Sequence, residues 1–145
     1  MKINCFFDGA CCPVNPGGAM GMGAVIYYGY EQFTLSDFKH QANGNTNNVA
    51  EYSAFKWILE TLIEEKLNDE TIEIYGDSNL VIQQMNDEWR IKQGRYKNVA
   101  LQCKELLQYF PYLTIKWIPR EQNDFADTLS TIKIKELGLF KDFSR

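Results

Sequence analysis

Apolar residues along this chain change period in a definite succession. From Ile3 to Asp8 they occupy both alternating sets, the pattern of a central strand covered on two faces. Met22, Ala24, Ile26 and Tyr28 then alternate with other residues in a second strand, and Glu31 to Lys39 makes a third. Tyr28-Gly29-Tyr30 supplies the bend between them, so the first three strands form an antiparallel meander. Helical spacing takes over at Ala50, Ala54, Ile58 and Leu62, with Phe55 and Leu59 beside them. Asn47 or Asn48 is placed to cap that helix.

The second half repeats the change of period. Ile72 and Ile74 alternate with Glu73 and Tyr75 in a strand from Thr71 to Gly76. Asp77-Ser78 opens a short helix containing Val81 and Met85. Tyr96, Val99, Ala100, Cys103, Leu106, Leu107 and Phe110 mark a third helix, which Pro111 stops. Leu113, Ile115 and Trp117 give a fifth strand closed by Pro119, and a last helix starts near Asn123. The order βββαβααβα predicts an α/β fold: a five-stranded mixed sheet with helices on both faces. Its first, fourth and fifth strands are candidates for parallel neighbours. Functional residues in such sheets gather beyond the carboxyl ends of the strands, where Asp8 and Asp77 fall.

Composition narrows the function classes. The 145 residues suit one domain, and 45% hydrophobic with 23% charged residues fits a soluble globular protein. No apolar run approaches the ~20 residues of a membrane span. The start, Met1-Lys2 and then a strand-like run, lacks the pattern of a secretory signal, so a cytoplasmic location is expected. The four cysteines show no metal-thiolate spacing, and Cys5 and Cys103 read as core residues. With His40 the single histidine, a His-rich metal site is poorly supported. His40 reads as a surface loop residue.

Net charge is −4, which counts against a nucleic-acid partner until its distribution is considered. Glu60, Glu64, Glu65, Asp69 and Glu70 crowd one stretch; Arg90, Lys92, Arg95, Lys97 and Lys104 occupy another. A locally basic stretch steers a polyanion even when the total is negative. Four carboxylates stand in distinctive settings: Asp8 in FFDGA, Glu51 in TNNVAEY, Asp77 in YGDSN and Asp127 in NDFADTL. Singly, each has a structural explanation as a turn, a helix-dipole partner, a cap or an exposed helix residue. Jointly they suit an acidic cluster that holds divalent ions over a phosphodiester. Hydrolysis there needs water activated at neutral pH and charge relief on the leaving oxygen, which two hard ions about 3.5–4 Å apart supply.

The segments FFDGACCPVNPGG, GNTNNVAEYSAF, IEIYGDSNLVIQQM and WIPREQNDFADTLS, in that order, resemble type 1 ribonuclease H from about Ile3 to Thr131. The resemblance implies cleavage of the RNA strand of RNA–DNA hybrids to 5′-phosphate and 3′-hydroxyl ends with two Mg²⁺ ions, or Mn²⁺. Asp8 would bridge the ions, Glu51 and Asp77 would flank one, and Asp127 the other. It implies hybrid contacts at Asn15, Asn47, Asn48, Asn79 and Gln83, with backbone contacts around Gly9, Ala10 and Cys11. Thr46 would meet a DNA-strand phosphate, Trp89 a DNA sugar and Arg120 a phosphate. Asn and Gln offer both hydrogen-bond senses, which suits a 2′-hydroxyl.

Two departures matter. The loop from Ile118 to Asn123 lacks the histidine many relatives carry, as in a short-loop branch that remains active. The basic protrusion is reduced, since Trp89-Arg90-Ile91-Lys92 leads through Gln93-Gly94 into the next helix. Residues 1–132 read as the catalytic domain and 133–145 as a tail, and the chain is expected to be monomeric. Glu136-Leu137-Gly138-Leu139-Phe140 faintly resembles peptides that dock on sliding clamps, with a final apolar turn packing on the domain as the plainer reading. The competing function classes are a nucleic-acid binder of this fold that is inactive or differently specific, and a small acidic metal-binding protein.

Overall fold

A computed structural model describes residues 2–138. Five strands, β1 (Lys2–Cys12), β2 (Ala19–Tyr28), β3 (Glu31–Lys39), β4 (Thr71–Gly76) and β5 (Leu113–Trp117), form one sheet in the order β3-β2-β1-β4-β5. β1–β2 and β2–β3 are antiparallel; β1–β4 and β4–β5 are parallel. The helices are α1 (Asn47–Glu64), α2 (Asn79–Met85), α3 (Lys97–Leu107) and α4 (Asp124–Glu136), with a short 3₁₀ turn at Arg120–Gln122. This is the α/β order and mixed sheet that the apolar periods predict.

Alternation along the strands assigns the two faces. Gly9, paired with Met22, turns toward α1: a Cβ there would run into the backbone of Ala50 and Glu51. Gly21 and Gly23 turn the other way, where a Cβ would strike the backbone of α4 at Ala126 and Ser130. α1 therefore covers one face and α4 the other, each pressed close against β-strand glycines. The core between sheet and α1 is filled by Ile3, Cys5, Phe7, Tyr52, Phe55, Ile58, Leu59, Ile72 and Ile74, all at most 1% exposed. Phe7 meets Phe55 edge-on, ring centroids 5.3 Å apart.

Two expectations change. β1 does not end at Asp8: it runs to Cys12, because β2 continues opposite it as far as Ala19. Asp8-Gly9 is thus strand, not turn, and Asp8 lies just past the last β1–β4 pair, Phe7 with Gly76. The cap of α1 is Thr46, not Asn47 or Asn48: Thr46 has extended φ and ψ of −144° and 163°, and its hydroxyl accepts from Val49 N–H. Trp117 is 51% exposed, at the point where β5 ends level with the last residue of β4. α4 continues past residue 132 to Glu136 and buries Ile134 against Ala10, Cys12, Ala19 and Phe38. Of the clamp-like peptide, Leu139 and Phe140 lie outside the described residues.

The remaining cysteine and histidine readings agree with the fold. Cys5 and Cys103 are fully buried, and burial pushes both thiols up, that of Cys103 to about 12. His40 is exposed, with its ring against Phe38. Among the described residues, no helix is long and apolar enough to cross a membrane.

Candidate active site

Three chain segments meet where the parallel pair β1–β4 ends. β1 brings Asp8, the turn after β4 brings Asp77, and the first turns of α1 bring Glu51. One carboxylate oxygen from each lies within 4.8 Å of the others. Asp8 is 1% and Glu51 7% exposed. Three carboxylates so close, two of them buried, repel one another unless a cation is shared among them. Their hard oxygen donors fit a divalent ion such as Mg²⁺. The glycine at position 9 makes the approach possible, since it lets Glu51 sit directly over the strand beside Asp8.

The group within 4.8 Å does not include Asp127, the fourth carboxylate. Asp127 lies in the first turn of α4, and its N–H donates to the Asn123 carbonyl at 3.0 Å. Asn123, which sequence reasoning treats only as a helix start, links the two places. It is 1% exposed, and its Nδ2 donates to Phe7 O at 2.9 Å and to Asp77 Oδ2 at 3.1 Å. One buried amide thus ties the strand before Asp8, the carboxylate of Asp77 and the start of the helix that carries Asp127. Trp117 is a second residue missed: its indole Nε1 donates to Asp77 O at 3.3 Å. No sequence signal marks either role, because each depends on a partner at least forty residues away.

An open cleft of about 290 Å³ lies over the cluster, lined by Asn47, Glu51, Asp77, Ser78, Trp117 and Arg120. Arg120 is the one cation of that lining and is exposed. On one side of the cleft, Asn15 and Asn47 hold each other: Asn15 Nδ2 donates to Asn47 Oδ1 at 2.8 Å, and Asn47 N–H donates to Asn15 Oδ1. Gln83 Nε2 reaches Asn79 Oδ1 at 3.3 Å, one turn apart on α2. Thr46 and Asn48 are half-buried at the start of α1.

These features have counterparts in known proteins. The family described as reverse transcriptase-like matches residues 6–132. A ribonuclease H1 isolated from compost superposes with a TM-score of 0.81 at 31% identity, covering 94% of this chain and 97% of that one. The chain belongs to the ribonuclease H family. A bifunctional protein of Mycobacterium tuberculosis is 33% identical over 80% of this chain and 31% of its own length. The solved N-terminal RNase H domain of that protein superposes with a TM-score of 0.80 at 27% identity, covering 91% and 98%. Ribonuclease HI of Halobacterium salinarum is 32% identical over 89% of this chain and 62% of its own length. The chain therefore spans less than two thirds of these two full-length relatives.

Within the ribonuclease H frame, the expected contact residues differ in exposure. Trp89 is 46% exposed, and Asn15, Asn79 and Arg120 are exposed as well. Ala10 and Cys11 are 0% and 3% exposed, so their side chains face the interior. The Cys11 thiol donates to Val14 O at 3.3 Å and is pushed up by burial. What residues 9–11 present is the backbone edge of β1 beyond the end of β4.

Proposed function

We propose that this chain is a metal-dependent endoribonuclease that hydrolyses the RNA strand of RNA–DNA hybrids, leaving 5′-phosphate and 3′-hydroxyl ends. The observation that carries this reading is the convergence of Asp8, Glu51 and Asp77 within 4.8 Å at the open end of a ribonuclease H sheet. Two Mg²⁺ ions, with Mn²⁺ as a substitute, would supply an activated water and charge relief on the leaving oxygen. Asp8, Glu51 and Asp77 would hold the ions, and Asp127 would complete the site from α4. Asn123 keeps Asp77 oriented by donating to Oδ2. Arg120, in the cleft wall, offers bidentate contact to a phosphate oxygen pair.

The hybrid lies across the cleft. Asn15, Asn47, Asn48, Asn79 and Gln83 meet the RNA strand, where amides satisfy both senses of a 2′-hydroxyl. Thr46 and Trp89 meet the DNA strand. A solved complex of the compost ribonuclease H1 with an RNA/DNA hybrid, 29% identical with a TM-score of 0.78, supports this substrate class.

The test is cleavage of a labelled hybrid with Mg²⁺, Mn²⁺ or chelator, beside the same RNA single-stranded and as an RNA duplex. Hybrid-selective, metal-dependent cutting that Asp8→Asn loses establishes reaction and site. A folded protein that cuts nothing with either metal overturns the reading.

A further inference from the structure

The basic loop between α2 and α3 has no regular secondary structure, yet a single buried side chain grips both of its ends. Gln84, on the last turn of α2, is 1% exposed. Its Nε2 donates to the backbone carbonyl of Arg90 at 3.1 Å and to the Tyr96 hydroxyl oxygen at 3.1 Å. Its Oε1 accepts from the Tyr52 hydroxyl at 2.6 Å. The Tyr52 and Tyr96 rings stack, with centroids 5.8 Å apart and planes 7° from parallel. Burial pushes the Tyr52 phenol well above the usual tyrosine range, so its hydroxyl remains a donor at any assay pH. Turning the amide over would set Oε1 against the Arg90 carbonyl, which can only accept, so that bond determines the orientation.

Between those anchored ends the chain exposes Arg90, Lys92 and Arg95, with Trp89 just before them. Trp89 is itself held, its N–H donating to Gln83 O at 3.1 Å. A mobile loop would have to order these cations during binding and lose affinity in doing so; a preformed loop has met that cost on folding. The charge balance makes the point sharper. With a net charge of −4, the chain has few cations to spare for a polyanion, so their placement decides how well it binds.

We propose that Gln84 is a positioning residue for substrate binding: it preforms the loop 90–96 so that Arg90, Lys92 and Arg95 engage backbone phosphates of the nucleic acid together. This rests on the hybrid substrate proposed above, and adds a residue that touches neither substrate nor metal. Gln84 is well placed for it, being internal, fully hydrogen-bonded and joined to α1 through Tyr52.

The test is Gln84→Met in the full chain, which keeps the volume and removes the amide. On an RNA–DNA hybrid with Mg²⁺, KM should rise about tenfold with kcat within about twofold. Binding measured by anisotropy in an Asp8→Asn background should show a slope of log Kd against log salt that is shallower by about one. The rise in Tm produced by Mg²⁺ should be unchanged. Tyr96→Phe, which keeps the stacked ring and removes one acceptor, should raise KM about threefold, and it decides the matter if Gln84→Met does not fold. A Gln84→Met or Tyr96→Phe protein with a lowered Tm but wild-type KM and salt slope overturns the proposal, since Gln84 would then serve stability alone. If the wild-type chain neither binds nor cuts the hybrid, the substrate reading fails as well; if it does both and the variants match it, only the role of Gln84 falls.

Discussion

At the scale of single residues, the site depends on side chains whose value comes from what they touch. Asn123 has the composition of a helix cap and does not act as one: its amide is committed to Phe7 O and Asp77 Oδ2 instead. Asn123→Ala leaves a buried carbonyl and a carboxylate oxygen short of a donor, so stability should fall by about 1–3 kcal/mol in urea titration. The same change loosens Asp77. Partners of metal-binding carboxylates typically contribute about 10–100-fold to metal affinity or activity. Half-saturating Mg²⁺ for cleavage should therefore rise, while hybrid KM at saturating Mg²⁺ stays near wild type. An unchanged Mg²⁺ dependence would reduce Asn123 to a structural residue. The legible part here was the trio Asp8, Glu51 and Asp77, whose chemistry shows in residue type; Asn123 and Trp117 were not legible, because an amide or an indole has many uses and only the folded neighbours choose among them.

Elements are positioned by close approach and by cross-strand charge. α1 rests on β1 at Gly9, where a methyl group would collide with the backbone of Ala50 and Glu51. Backbone yields less easily than a side chain, so Gly9→Ala should push α1 away and lower stability by about 1–3 kcal/mol. It should also lower kcat by moving Glu51 from Asp8. A thermal melt and a single-turnover assay separate the two effects. On the opposite face of the sheet, Glu73 of β4 joins three strands: Lys2 of β1 lies at 3.0 Å and Lys116 of β5 at 3.4 Å. The Tyr75 hydroxyl donates to the same carboxylate. That hydrogen bond first, then the lysines, holds Glu73 down at about 2, and the bond to Glu73 in turn pushes Tyr75 up to about 12. A carboxylate with a depressed folded value stabilises above its ordinary range, near 4.3, and loses that contribution as pH falls toward 2. Melting curves from pH 6 to pH 2.5 should thus decline less steeply for Glu73→Gln than for wild type. Parallel slopes would mean that the network contributes nothing across the strands.

For the whole molecule, the site sets folding against function. Asp8, Glu51 and Asp77 come from segments up to 69 positions apart, and folding forces like charges within 4.8 Å. Asp8→Asn removes one of those charges. The metal-free protein should melt at a higher temperature than wild type, by a few degrees, since about 1 kcal/mol moves Tm by roughly 2–8 °C in domains of this size range. Added Mg²⁺ should raise the Tm of wild type but scarcely that of the variant, because an ion bound only by the folded state stabilises in proportion to its occupancy. Cleavage by Asp8→Asn should be absent. A metal-free Tm below that of wild type, with activity retained, would remove the cluster from the mechanism.

What the sequence determined on its own was the order of elements, the mixed sheet and the acidic residues with their hydrogen-bonding asparagines. Those depend on local periodicity, on turn and helix signals, and on side-chain chemistry, all of which are readable in one dimension. It did not determine where β1 ends, since Asp8-Gly9 suits a turn and only the continued pairing with β2 makes it strand. It did not choose among Thr46, Asn47 and Asn48 for the cap, since all three side chains can accept the same hydrogen bond and backbone angles decide. Tertiary structure alone decided that Asp8, Glu51 and Asp77 converge, that Asn123 joins Asp77 to the start of α4, and that Gln84 clamps the basic loop. Each of these is a contact between residues distant in the chain, so its energy exists only once the sheet and helices have brought the partners together.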